Sequence, residues 1–103
     1  MEYCFKNKHI DDLYNTGRSR KYKLQTGILK KFFMRVQQIE AAEDIYDLWK
    51  TPSLNFEKMQ GYENKFSIRI DDKWRLDLSI DWKNEEKTKG ILNIIELSKH
   101  YGD

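Results

Sequence analysis

The chain has 103 residues, of which 39% are hydrophobic, 14% aromatic and 35% charged. That length leaves room for a single domain over residues 1–103, and the apolar content excludes a disordered chain. The formal charge of +2 is too small to name a partner, and no apolar run approaches the roughly 18 to 20 residues of a membrane span.

The start Met1-Glu2-Tyr3-Cys4-Phe5-Lys6 has no basic-then-apolar signal organisation. The single Cys4 can form no internal disulfide, and no Cys/His spacing suits zinc. A reducing, cytoplasmic setting without a metal or cofactor is expected. Charge is unevenly distributed. Arg18, Arg20, Lys21, Lys23, Lys30, Lys31 and Arg35 fall in a stretch without acids, and Glu40, Glu43, Asp44, Asp47 and Glu57 follow against Lys50 alone. Such asymmetry points to an electropositive face suited to a polyanion, or to a lysine-rich helix solvating its outer side.

In chain order, Tyr3 to Phe5 suits a short strand. Asn7 reads as a helix cap, Ile10, Leu13 and Tyr14 follow at helical spacing, and Gly17 stops that helix. A basic connection from Arg18 to Leu24 leads to a longer helix beginning at Gln25 or Thr26. Its stripe is Ile28, Leu29, Phe32, Phe33, Val36 and Ile39, with Lys30, Lys31 and Arg35 expected to face solvent or a partner. The helix should end near Ala42 or Glu43. A short turn over Ile45 to Trp49 and a break at Thr51-Pro52-Ser53 come next, and Leu54 to Met59 is a candidate strand.

The second half changes period. Phe66, Ile68 and Ile70 alternate with polar residues, as do Trp74, Leu76, Leu78, Ile80 and Trp82, which predicts a β-hairpin. Ile91 to Leu97 is apolar on both sides, as expected of an interior strand covered on each face. The fold class is α+β: N-terminal helices packed on a small, mainly antiparallel sheet.

Parity restricts the hairpin. If its apolar residues share one face, the loop holds an odd number of residues, and Asp71-Asp72-Lys73 is the shortest choice. That loop sets Arg69 directly opposite Arg75, with Trp74 on the core side. Like charges in register destabilise a sheet by a fraction of a kcal/mol up to roughly 1, so the pair calls for a compensating anion. Asp71 and Asp77 are internal candidates; a bound anion is the other. A five-residue loop would instead set Arg69 opposite Asp77. The ending Lys99-His100-Tyr101 adds a group that titrates near neutrality and a ring able to stack on a base, although such pairs also occur in loose tails. His9 has no acid or nucleophile pattern around it and reads as structural.

The run Gly61-Tyr62-Glu63-Asn64-Lys65-Phe66-Ser67-Ile68-Arg69-Ile70-Asp71-Asp72-Lys73-Trp74-Arg75-Leu76, with Ile94-Ile95-Glu96-Leu97-Ser98-Lys99-His100-Tyr101, resembles the HigB-like branch of the RelE/ParE toxin superfamily. The resemblance implies two helices on a small antiparallel sheet and the toxin of a type II toxin–antitoxin pair. It further implies metal-free cutting of mRNA on the translating ribosome and restraint by a HigA-like antitoxin with a helix-turn-helix domain, through which alone operator DNA would be bound. Carried over by position, Arg75 and Arg69 would hold the phosphate, His100 would serve as acid or base, and Tyr101 would orient the nucleotide. Lys58 and Lys73 would add charge beside the RNA, while Lys21, Lys23, Lys30 and Lys31 would contact ribosomal RNA. Where some members have His-Pro-Leu-Lys-Gly, this chain has Glu57-Lys58-Met59-Gln60-Gly61, which leaves the general base unassigned. Two other readings are a ParE-like gyrase poison without nuclease chemistry and a catalytically decayed partner-binding domain.

Overall fold

Asn7 closes one element and opens the next. Strand β1 (Glu2–Phe5) ends just before it, and the Asn7 side chain accepts the His9 N–H at 2.9 Å to cap helix α1 (Lys8–Thr16). Gly17 stops α1 as the spacing predicts, taking the left-handed conformation at φ 76° while its N–H donates to the Leu13 carbonyl. The computed structural model describes residues 1–99; His100 and Tyr101 lie outside the described residues. Helix α2 (Thr26–Ala41) and the Asp44-capped helix α3 (Ile45–Lys50) follow, then a 3-10 turn at Pro52–Leu54. Strands β2 (Glu57–Lys58), β3 (Lys65–Arg69), β4 (Trp74–Trp82) and β5 (Gly90–Lys99) complete a sheet ordered β1-β5-β4-β3-β2. Only β1 with β5 is parallel; every other pairing is antiparallel. This is the expected α+β class. The candidate strand Leu54 to Met59 contracts to two residues, with Leu54 in the 3-10 turn and Phe56 in the core.

One buried cluster joins Ile10 and Leu13 of α1, Phe32, Val36 and Ile39 of α2, and Leu48 of α3 to a single face of the sheet. That face carries Phe66, Ile68, Leu76, Leu78, Ile80, Leu92 and Ile94. Burying side chains of this size is worth about 1.5–3 kcal/mol each. No helix among the described residues is long and apolar enough to cross a membrane.

Two expectations fail here. Arg35 does not face outward; it is buried, because it stands three residues after Phe32 and four before Ile39 and so lies on the core face of α2. Strand β5 is interior to the sheet, but it is not covered alike on both faces. Leu92, Ile94 and Leu97 enter the core, whereas Glu96 is exposed beside Asp77. The apolar residues change parity because a bulge interrupts the ladder: Leu78 pairs with Ile94 while Asp77 pairs with Glu96, leaving Ile95 as the extra residue.

Candidate functional site

The β3–β4 hairpin turns through Asp71-Asp72-Lys73, as parity predicts. The Ile70 N–H donates to the Trp74 carbonyl at 2.9 Å, and Arg69 pairs directly with Arg75. The ladder bond at Ile70 and Trp74 makes the arginine pair one of the non-hydrogen-bonded kind, where opposing side chains stand closest. Asp71 fixes the turn by accepting the Lys73 N–H at 2.9 Å and the Trp74 N–H at 2.7 Å. Trp74 is half-buried against the core, as its parity requires, with the Lys99 ammonium 5.2 Å from its ring.

The two arginines are compensated differently. Arg69 forms an ion pair with Asp72, which is neither of the two carboxylates anticipated, and its Nε–H reaches the Asp71 carbonyl at 3.3 Å. Both side chains of that ion pair are solvent-exposed (49% and 88%), so it contributes roughly 0–1 kcal/mol and an incoming anion can compete with it. Arg75 is half-buried and makes no ion pair among the described residues. Its cross-strand neighbour on the other side is Ser98.

Register sets a second row beside the first. Glu57 pairs with Ser67, Ser67 with Asp77, and Asp77 with Glu96, so three carboxylates share the outer face with the row Arg69, Arg75 and Ser98. Asp77 is held above the usual carboxylate range. Burial raises it most; the Ser98 hydroxyl, donating at 3.1 Å, pulls it down, Glu96 raises it, and Arg75 lowers it. The row had two signals in the sequence: Asp77 shares parity with Arg75, and Glu96 is an acid within the apolar run Ile91 to Leu97. Glu57 had none, since a two-residue strand has no period to read.

The predicted basic residues divide. Lys31 lines an open cleft of about 350 Å³ together with Arg35, Ser53, Arg69 and Asp71, so it stands beside the arginine row. Lys73 is exposed in the hairpin turn itself, and Lys30 is exposed on α2. Lys21 and Lys23 are exposed on the connection between α1 and α2, with Lys21 over the Tyr22 ring at 5.3 Å. Lys58 does not join the site: it pairs with Phe66 and so belongs to the helix-side face, opposite to both arginines. His9 is half-buried on α1 and stays outside the site. The last described residue, Lys99, pairs with Trp74, one position from Arg75.

The order of elements defines a class of small α+β domains, helices on one face of a mainly antiparallel sheet. The solved structure of a YoeB/ParE toxin from Agrobacterium tumefaciens is similar, with a TM-score of 0.56 at 16% identity, covering 98% of this chain and 100% of that one. No curated protein sequence matches the chain. The model of the HigB-like toxin family, described as the RelE-like toxin of type II toxin–antitoxin system HigB, matches residues 3–95. The chain belongs to that family. It is a RelE-like toxin of a type II system, a class that implies an antitoxin partner.

Proposed function

We propose that this chain is an mRNA endoribonuclease that acts on the translating ribosome without a metal and so halts translation. The observation that carries the reading is the Arg69–Arg75 pair, two cations in register on one exposed face with only one carboxylate paired to them among the described residues. In the reaction, a base takes the proton of the 2′-hydroxyl and the 2′-oxygen attacks phosphorus. The bond to the 5′-oxygen then breaks and an acid protonates that oxygen, leaving a 2′,3′-cyclic phosphate. Arg75 and Arg69 hold the crowded phosphate, where removing one preorganised donor typically lowers the rate on the order of 100-fold or more.

His100 is the acid or base, a role worth about 100- to 10,000-fold, and Tyr101 stacks on the nucleotide. Lys73 and Lys31 flank the RNA, while Lys21, Lys23 and Lys30 meet ribosomal RNA phosphates. Lys58, which pairs with Phe66 on the other face, is assigned no phosphate contact in this reading. The partner that restrains the toxin is a HigA-like helix-turn-helix antitoxin, which alone contacts operator DNA, and the setting is cytoplasmic.

The test is mRNA cleavage in a translating extract. The parent should cut, while Arg75→Ala and His100→Ala should each cut at least about 100-fold more slowly. Equal cutting by parent and both variants overturns the assignment. No cutting, with loss of gyrase supercoiling activity instead, establishes the gyrase-poison reading.

A further inference from the structure

Arg35 is the one basic residue of the α1–α2 region that the sequence sends outward and the fold takes inward. Its Nε–H donates to the carbonyl of Arg69 at 2.8 Å, and its Nη2 group reaches the carbonyl of Ile70 at 3.4 Å. Its Nη1 group donates to the Gln38 side-chain oxygen at 3.1 Å, and Gln38 in turn donates to the Ser53 hydroxyl at 3.2 Å. All the acceptors are neutral oxygens.

Both hairpin carbonyls lack a ladder partner for reasons visible in the sheet. Strand β2 covers only Phe66 and Ser67 of β3, so the edge carbonyl of Arg69 lies beyond its reach. The Ile70 carbonyl would ordinarily accept the Trp74 N–H across the turn, but the Asp71 side chain takes that donor. Unpaired carbonyls at a buried edge are costly. A guanidinium presents several donors in one rigid plane and can satisfy two adjacent carbonyls together.

We propose that Arg35 is a positioning residue for the phosphate-binding arginine: it clamps the backbone of Arg69 and Ile70 to α2 and so fixes the direction in which the Arg69 side chain leaves the sheet. This inference rests on the nuclease reading for the meaning of that direction. Burial, and then the nearby Arg69 charge, push the Arg35 guanidinium below its usual value. The Arg69 side chain itself leaves on the outer face, where Asp72 meets it.

The experiment compares the parent, Arg35→Lys and Arg35→Met, with Arg75→Ala as the check on chemistry. Cleavage in the extract is resolved into kcat and KM and corrected for folded fraction by circular dichroism. Exchange of the Arg69 Nε–H with solvent is followed by NMR on the isolated full chain. Arg35→Met should lower kcat by about 10- to 100-fold with KM within about twofold, as expected for a misplaced contact group. Arg35→Lys, a single-point donor, should restore only part of that loss. In both variants the Arg69 Nε–H should exchange about 10-fold faster or more.

A folded Arg35→Met that keeps the parent kcat, or activity that falls only in step with folded fraction, overturns the positioning role. So does unchanged exchange at Arg69, whether or not the parent cuts RNA. A parent that fails to cut, with exchange accelerated in both variants, overturns the nuclease reading alone and leaves the clamp standing.

Discussion

Arg69 and Arg75 occupy opposite positions of one antiparallel ladder, in the closer of its two pair geometries, yet only Arg69 has a carboxylate partner among the described residues. The sheet tolerates this because Asp72 lies in the turn, three residues from Arg69, and can swing against it without occupying a ladder position. Two positive groups are thus displayed side by side at a small energetic cost.

That arrangement separates function from folding at Arg75. Arg75→Ala removes the repulsion from Arg69 and, against it, a weaker attraction to Asp77, with which Arg75 forms no salt bridge. It should leave stability within about 1 kcal/mol of the parent, or raise it slightly. Cleavage should fall at least about 100-fold. Thermal melting and extract cleavage measured on one preparation test both; a large loss of stability would mean that Arg75 holds the sheet together.

Asp72→Asn should release Arg69 without unfolding anything. The exposed pair is worth roughly 0–1 kcal/mol, so melting should barely move. If Arg69 then contacts phosphate more freely, the slope of log affinity for RNA against log salt should steepen by about 0.7. An unchanged slope would show that Asp72 does not compete with the ligand.

Asp77 gives a pH dependence of fixed sign. Its folded value is raised, chiefly by burial, so the native state keeps a proton that the unfolded chain has lost. Its contribution is fully present below the unfolded value near 4 and is lost as pH rises through the folded value. Asp77→Asn has no such loss. Its melting temperature should therefore gain on the parent as pH rises through that window, with no gain below it. Parallel melting curves across the window would contradict the assignment.

Gly90 is fixed by a close approach. A Cβ there would meet the Asp81 carbonyl oxygen and lie 2.9 Å from Ile80 Cγ2. Gly90→Ala should cost about 1–3 kcal/mol, which lowers the melting temperature by about 4–8 °C per kcal/mol in a domain of this size. Scanning calorimetry reads it directly.

The hairpin and its arginine pair were legible because period two and an odd loop leave few registers, and Phe66, Ile68, Leu76 and Leu78 choose among them. The caps at Asn7 and Gly17 were legible because each depends on one residue and its immediate neighbours. Arg35 departs from the sequence expectation because its charge argues outward while its helical position argues inward, and two carbonyls left open on the sheet decide the matter. Lys58 falls on the face away from the arginines for a similar reason: faces in a strand of two residues are set by its neighbour β3 and not by any pattern of its own. Within the turn, the sequence does not tell Asp71 from Asp72: the fold spends the Asp71 carboxylate on the Lys73 and Trp74 N–H groups and leaves Asp72 for Arg69.

The extra residue at Ile95 is what keeps Leu97 in the interior at the present length of β5. Ile94 and Leu97 stand an odd number of residues apart, yet both side chains enter the core. A regular strand of the same length would expel Leu97 and draw Glu96 and Ser98 inward. Removing Ile95 would instead bring the two core residues into plain alternation and close the bulge. Loss of this one residue is therefore expected to be better tolerated than its position inside an interior strand suggests.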